Sequence, residues 1–212
     1  MPDQSPQRPT GGATAGGAAA GGSAVPTGGS AVPAGGSATS AGGATAGGSA
    51  SDALTSERFR RATSRYATGI AVATTVADGV DHAMTANSFT SVSLDPLLAL
   101  VCVERDSRFH SAVLAAGVWS VSFLPEGQEA VARWFATRGR PLVGQFDQVP
   151  TLRGSNGCLL LADGLAALEL RTQQVVPAGD HDVLISAVTQ VHEVTEDGRP
   201  LVYFRSTFRD LA

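Results

Sequence analysis

From Pro9 to Ser51 the sequence has no charged and no aromatic residue, only Gly-Gly pairs recurring among Ala, Ser, Thr and Pro. Such a segment offers too little apolar surface to offset an ordering cost of about 1–2 kcal/mol per residue. Residues 1–51 are therefore expected to form a disordered tail or linker, with one folded domain over 52–212. The tail also lacks the features of an address, since Arg8 is its only basic residue and it has no apolar run; a secretory or transit peptide is not expected. Its glycines spell neither GxGxxG nor a Walker loop, and none lies between a strand and a helix, so they argue no nucleotide site. No apolar run anywhere is long enough to span a membrane. With a net charge of −4 and no basic stripe, nucleic acid is not an expected partner. Cysteine is scarce: Cys102 and Cys158 show neither CxxC spacing nor a disulfide framework, and they read as buried, reduced thiols of a soluble cytoplasmic protein. Among the histidines, His82, His110 and His192 share no metal-ligand spacing with His181, so no metal is expected and those three receive no role. No motif for a Ser/His/Asp triad is present either.

The remainder has the alternation of a β-rich domain. Asp52 or Thr55 can cap a first helix carrying Leu54, Phe59, Ala62 and Tyr66 toward the core. Strands are predicted over 70–76 and 82–86, joined by a tight Asp78-Gly79 hairpin, and over 97–103. Asp106 or Ser107 can cap a short helix that Gly117 ends, and a strand follows over 119–124. Pro125 is expected to open a helix with Val131, Trp134 and Phe135 as its apolar stripe, closed by Gly139 and Pro141. Residues 142–157 read as a loop. Two long alternating segments, 165–176 and 181–194, form a hairpin through Pro177-Ala-Gly-Asp180, and an Asp197-Gly198 turn leads to a last strand over 201–205. Hairpin order throughout, with a few helices, predicts a mainly β antiparallel barrel with α cover, not a βαβ fold.

Most of the chemistry concentrates in Thr85–Val103, TANSFTSVSLDPLLALVCV. Small hydroxyl and amide residues, Thr85, Asn87, Ser88, Thr90, Ser91 and Ser93, feed directly into an uncharged apolar strand. One reading is an alternating strand with its polar face in water. The other is a polar cradle on a buried scaffold, suited to a flat ring bearing many oxygens.

Read together with FRRATSRYATGIAVATT (59–75), Ser107 within ERDSRFHSAV, WFATRG (134–139), PAGDHDVLISAV (177–188) and PLVYFRSTF (200–208), this stretch makes the chain resemble the flavin reductase family. These are NAD(P)H:flavin oxidoreductases that supply reduced flavin to two-component monooxygenases, including those of aromatic polyketide pathways. The likeness spans about Leu54 to Leu211. It implies an FMN-binding split β-barrel that forms a homodimer, FMN or alternatively FAD as flavin, NADH or NADPH as co-substrate, and a monooxygenase partner. Thr85, Ala86, Asn87 and Ser88 would contact the isoalloxazine edge, with Thr68 and Gly69 flanking it. Ser107 and Arg108 would receive the phosphate or adenylate end at a helix N-terminus. His181, in Gly-Asp-His, would lie nearest the nicotinamide as a neutral imidazole. Two departures stand out: Ser206 and Phe208 occupy places where the family often has Gly and Tyr, and FATRGRP replaces a commoner FAG, leaving the distal flavin contacts open. A non-catalytic flavin or haem binder on the same barrel, or a structural subunit tethered by the tail, are the competing readings.

Overall fold

The computed structural model describes residues 54–193 and 197–211. The tail expected over 1–51 and the hairpin end at Val194 lie outside the described residues. Helix α1 (Ser56–Thr63) leads into strands β1 (Thr68–Gly69), β2 (Ala71–Ala77), β3 (Val80–Ala86), β4 (Thr90–Leu94) and β5 (Leu97–Glu104). Helix α2 (Arg108–Ala116), β6 (Val118–Phe123) and α3 (Glu129–Ala136) follow, then β7 (Thr151–Arg153) and β8 (Leu159–Leu161). The long hairpin β9 (Ala166–Ala178) and β10 (His181–Glu193) precedes β11 (Val202–Phe204) and β12 (Thr207–Arg209). Seven strands make one antiparallel sheet in the order β3-β2-β6-β9-β10-β5-β4; β1, β11 and β12 make a second, and β7 with β8 a third.

Strand periodicity explains how one sheet carries two cores. Side chains alternate along β2, so Ala71 and Ala73 face a cluster with Val101, Val103, Trp119, Leu170 and, from α2, Phe109 and Val113. Ile70 and Val72 face the opposite way, against Leu124, Leu161 and Leu201 and, from α3, Ala132 and Phe135. The two helices thus pack on opposite sides of β2, and each brings one end to the tip of β3. The Asp78-Gly79 turn is the expected two-residue hairpin, with φ of 51° and 73° at its central residues. Ser107 caps α2 by accepting from His110 N at 3.2 Å, and Gly117 ends it at φ 66°.

Four expectations need correction, the first being the loop expected over 142–157, which holds the short strand β7 paired with β8. Thr55 does cap α1, but no α1 residue is buried, and Leu54, Phe59 and Tyr66 are 92%, 63% and 77% exposed. The three arginines at 58, 60 and 61 leave this helix too narrow an apolar stripe to sink it into the described core. Pro125 does not open α3; it forms a bridge with Pro200, and the helix begins at Glu129. The final strand is a hairpin, because Arg205 and Ser206 turn the chain at φ 51° and 59° and β12 pairs back on β11.

Candidate functional site

The tip of β3, the end of β5, the start of α2 and the end of α3 enclose a cavity of about 530 Å³. That volume lies within the range of small-molecule sites. Seven of the expected residues line it: Thr85, Ala86, Asn87, Ser88, Ser107, Arg108 and His181. Thr68 and Gly69 do not. Gly69 lines a neighbouring apolar pocket of about 310 Å³, with Phe89, Phe123 and Leu165, which touches the first only through Ala86. Thr68 Oγ1 is buried without a hydrogen-bond partner. Thr90, Ser91 and Ser93 lie on the sheet's edge strand β4 and line no part of the cavity.

Which atoms the site can offer follows from the hydrogen bonds already made. Thr85 Oγ1 donates to Ala132 O at 2.7 Å, fixing α3 against β3. Ser88 Oγ is stitched to β5, accepting from Cys102 N at 3.1 Å and donating to Cys102 O at 3.3 Å. Ser107 Oγ donates to Glu104 O at 2.7 Å while capping α2. The three hydroxyls are therefore occupied, and their role is to shape the walls. What remains for a ligand is the Asn87 amide, the backbone N–H groups of Asn87 and Ser88, which bind no other backbone among the described residues, and the unpaired first N–H groups of α2.

One end of the cavity is cationic. The chain has no lysine, so its 15 basic residues are all arginines, and three of them, Arg108, Arg138 and Arg140, line this cavity. Arg140 is structural: Nη1 donates to Phe135 O and Thr137 O at 2.9 and 3.1 Å, Nη2 to Ala83 O, and Nε to Gln145 Oε1 at 3.1 Å. Burial, with Arg108 adding repulsion, pushes its pKa down to about 10. Arg138 is held by both oxygens of Glu104 at 2.5 Å. Arg108 gives one donor, Nη2, to Arg140 O at 2.7 Å and keeps the rest of its fork for an anion. His82, on β3, also lines the cavity; its Nδ1 is buried without a partner, and burial followed by the charge of Arg108 lowers its pKa.

His181 begins β10 and also lines the cavity, partly exposed, with Nδ1 2.8 Å from Asp180 Oδ1. Its cross-strand neighbour is Glu104. Sequence reasoning missed Glu104, Arg138, Arg140 and His82 as wall residues. FATRGRP carried a readable signal, two guanidinium groups at a helix end next to the apolar Trp134-Phe135 stripe. Nothing in the sequence marks His82, because only the β2–β3 register brings it to the cavity. Among the described residues no helix is long and apolar enough to cross a membrane.

The cavity thus combines free backbone donors at Asn87 and Ser88, the start of α2 with Arg108, and His181, which the β5–β10 pairing sets beside that helix start. Residues 63–212 match the model of the flavin reductase like domain, and the chain belongs to that family. Its fold is the family's split barrel, and its class is that of NAD(P)H:flavin oxidoreductases. It is 36% identical over 155 residues to the reductase component of 4-hydroxyphenylacetate 3-monooxygenase from Thermus thermophilus, covering 73% of this chain and 96% of that protein. It is 41% identical over 133 residues to an NADH-dependent FAD reductase of Streptomyces globisporus, covering 62% and 72% of the two chains. Among solved structures, the flavin reductase component of a bacterial two-component tryptophan halogenase superposes with a TM-score of 0.70 at 40% identity, over 74% of this chain and 98% of that one.

Proposed function

We propose that the protein oxidises NADH and reduces FMN, with FAD as the alternative flavin, and releases the reduced flavin to a separate monooxygenase of secondary metabolism. The observation that carries this reading is that His181, the start of α2 with Arg108 and the Thr85–Ser88 segment all open into one cavity. The residues fit a phosphorylated flavin: free backbone donors at Asn87 and Ser88 suit the ring's oxygens, and Arg108 at the α2 N-terminus suits its phosphate. Once both nucleotides are bound, hydride passes from nicotinamide C4 to flavin N5, a chemistry that belongs to the cofactors. The protein's part is positional. Arg108 anchors one end of the flavin, Asn87 and Ser88 fix the ring plane, and His181 donates or accepts a hydrogen bond at the carboxamide to align the nicotinamide face.

The active species in this proposal is a cytoplasmic homodimer. Its support as a dimer is exposed apolar surface at the first helix, where Phe59 on α1 and Tyr66 just after it stand open among the described residues. Residues 1–51 would act as a linker outside the catalytic unit.

The deciding experiment follows the loss of NADH absorbance in the presence of free FMN. Turnover that scales with protein and fails without flavin is expected. Flavin binding without NADH oxidation would overturn the enzymatic reading in favour of a carrier, and absence of flavin binding would overturn both.

A further inference from the structure

Beside the cavity, but not lining it, lies a small buried charge cluster. Asp182, one residue beyond His181, has a side chain only 9% exposed. Arg105 Nε and Nη2 both reach its Oδ1 at 2.7 Å, and His110 Nε2 lies 2.8 Å from Oδ2. The His110 hydrogen bond first, then that of Arg105, holds this carboxyl below its usual range. What matters is where the two partners stand in the sequence. Arg105 precedes and His110 follows the four residues Asp106, Ser107, Arg108 and Phe109, all of which line the cavity. One carboxylate therefore grips both flanks of the loop that carries the anion site. The backbone repeats the connection, because Arg105 N donates to Asp180 O at 3.1 Å.

We propose that Asp182 is a positioning residue that fixes the anion-receiving Ser107–Arg108 corner and the His181 turn in one geometry, so that both nucleotides are aligned by a single buried carboxylate. The physical reason is that an exposed arginine at a helix start would otherwise sample many orientations, and a shift of the loop by about 1 Å weakens every bond it makes to an anion. Loss of the Asp182 charge releases Arg105 and His110 together. A second carboxylate–histidine pair, Glu169 with His192 at 2.8 Å, serves as a comparison because neither residue lines the cavity.

This inference rests on the proposed flavin and nicotinamide site, and equilibrium flavin binding tests it without requiring turnover. In Asp182→Asn, the FMN dissociation constant measured by fluorescence titration is expected to rise on the order of tenfold, and the KM for NADH to rise with it while kcat changes little. His110→Gln should shift the same two constants in the same direction, which keeps the test available if Asp182→Asn does not fold. His192→Gln should lower the melting temperature and leave both constants alone. In an Arg108→Ala background, Asp182→Asn should cost clearly less FMN affinity than in the wild type, because the loop it positions has lost its charged anion donor and keeps only the helix-start N–H groups. Unchanged FMN and NADH constants in folded Asp182→Asn or His110→Gln would overturn the proposal, as would losses that simply multiply with Arg108→Ala. A wild-type protein that binds FMN but does not oxidise NADH would instead refute the enzymatic function and leave the flavin-binding half of this test intact.

Discussion

Glu169 offers the sharpest quantitative test of the scaffold behind the site. Its carboxylate is almost fully buried on β9, yet it accepts from Ser155 N at 3.0 Å, Ser155 Oγ at 2.7 Å, Asn156 N at 2.7 Å and His192 Nε2 at 2.8 Å. Burial alone would raise its pKa, but these donors outweigh that cost and bring it down to about 2, from an ordinary value of 4.5. The folded-state pKa is depressed, so the stabilisation is complete above the unfolded value and is lost as pH falls from about 4.5 toward 2. At 1.36 kcal/mol per unit, the shift corresponds to about 3 kcal/mol near neutral pH. Glu169→Gln keeps the volume but turns an amide N–H₂ toward donors, so near pH 7 it should cost on the order of 3–5 kcal/mol, a large share of a typical domain's stability. Urea unfolding of both proteins across that acid range is the assay, with the gap between them shrinking as pH falls. Stability curves that stay parallel down to the acid limit would refute the reasoning, because the gap would then not come from the ionised carboxylate. Gly154 belongs to the same arrangement: an added Cβ would meet Glu169 Oε1 at 2.9 Å. Gly154→Ala should therefore destabilise as well.

His181→Ala should raise the KM for NADH or slow flavin reduction on the order of tenfold to a hundredfold, with little change in flavin affinity; stopped-flow traces identical to wild type would remove His181 from the site. Asn87→Leu should weaken FMN binding far more than it lowers the melting temperature of flavin-free protein, since Asn87 is exposed and makes no side-chain bond of its own among the described residues; equal losses in titration calorimetry and thermal melts would count for the plain edge-strand reading. Ser206→Gly should stabilise by roughly 0.5–1 kcal/mol, because Ser206 holds φ 59° in a two-residue turn that favours glycine; a lower melting temperature would show that the serine makes a compensating contact.

Much of the scaffold was legible because the sheet announces itself through period and punctuation. Asp78-Gly79, Gly117 and the paired long segments around Gly179 each mark a place where local chemistry and tertiary structure agree. The errors fall where tertiary context decides. Helix α1 has an apolar side by periodicity, yet none of its residues is buried, because its arginines leave that side too narrow. The β11–β12 hairpin was hidden because Arg205-Ser206 is a poor sequence for a turn with two positive φ angles.

The cavity shows the same division at the level of chemistry. Local sequence located Thr85–Ser88 and Ser107–Arg108, since a polar run before an apolar strand and a cap before a helix are short-range signals. Of the groups those residues carry, the structure leaves the backbone N–H groups of Asn87 and Ser88 and the Asn87 amide free and ties up the hydroxyls. The hydroxyls that suggested a cradle are bound to Ala132, to Cys102, and to Glu104 and His110, distances of 47, 14 and 3 residues along the chain. They hold four elements around a space, and the ligand-facing groups are the backbone and side chains that those bonds leave free. Thr68 and Gly69 fall outside the cavity for a related reason, since β1 pairs with β11 and belongs to a different sheet from β3. A family likeness transfers the order of blocks along a chain. The β5–β10 register and the Ser88–Cys102 bonds across to β5 decide which of those blocks meet.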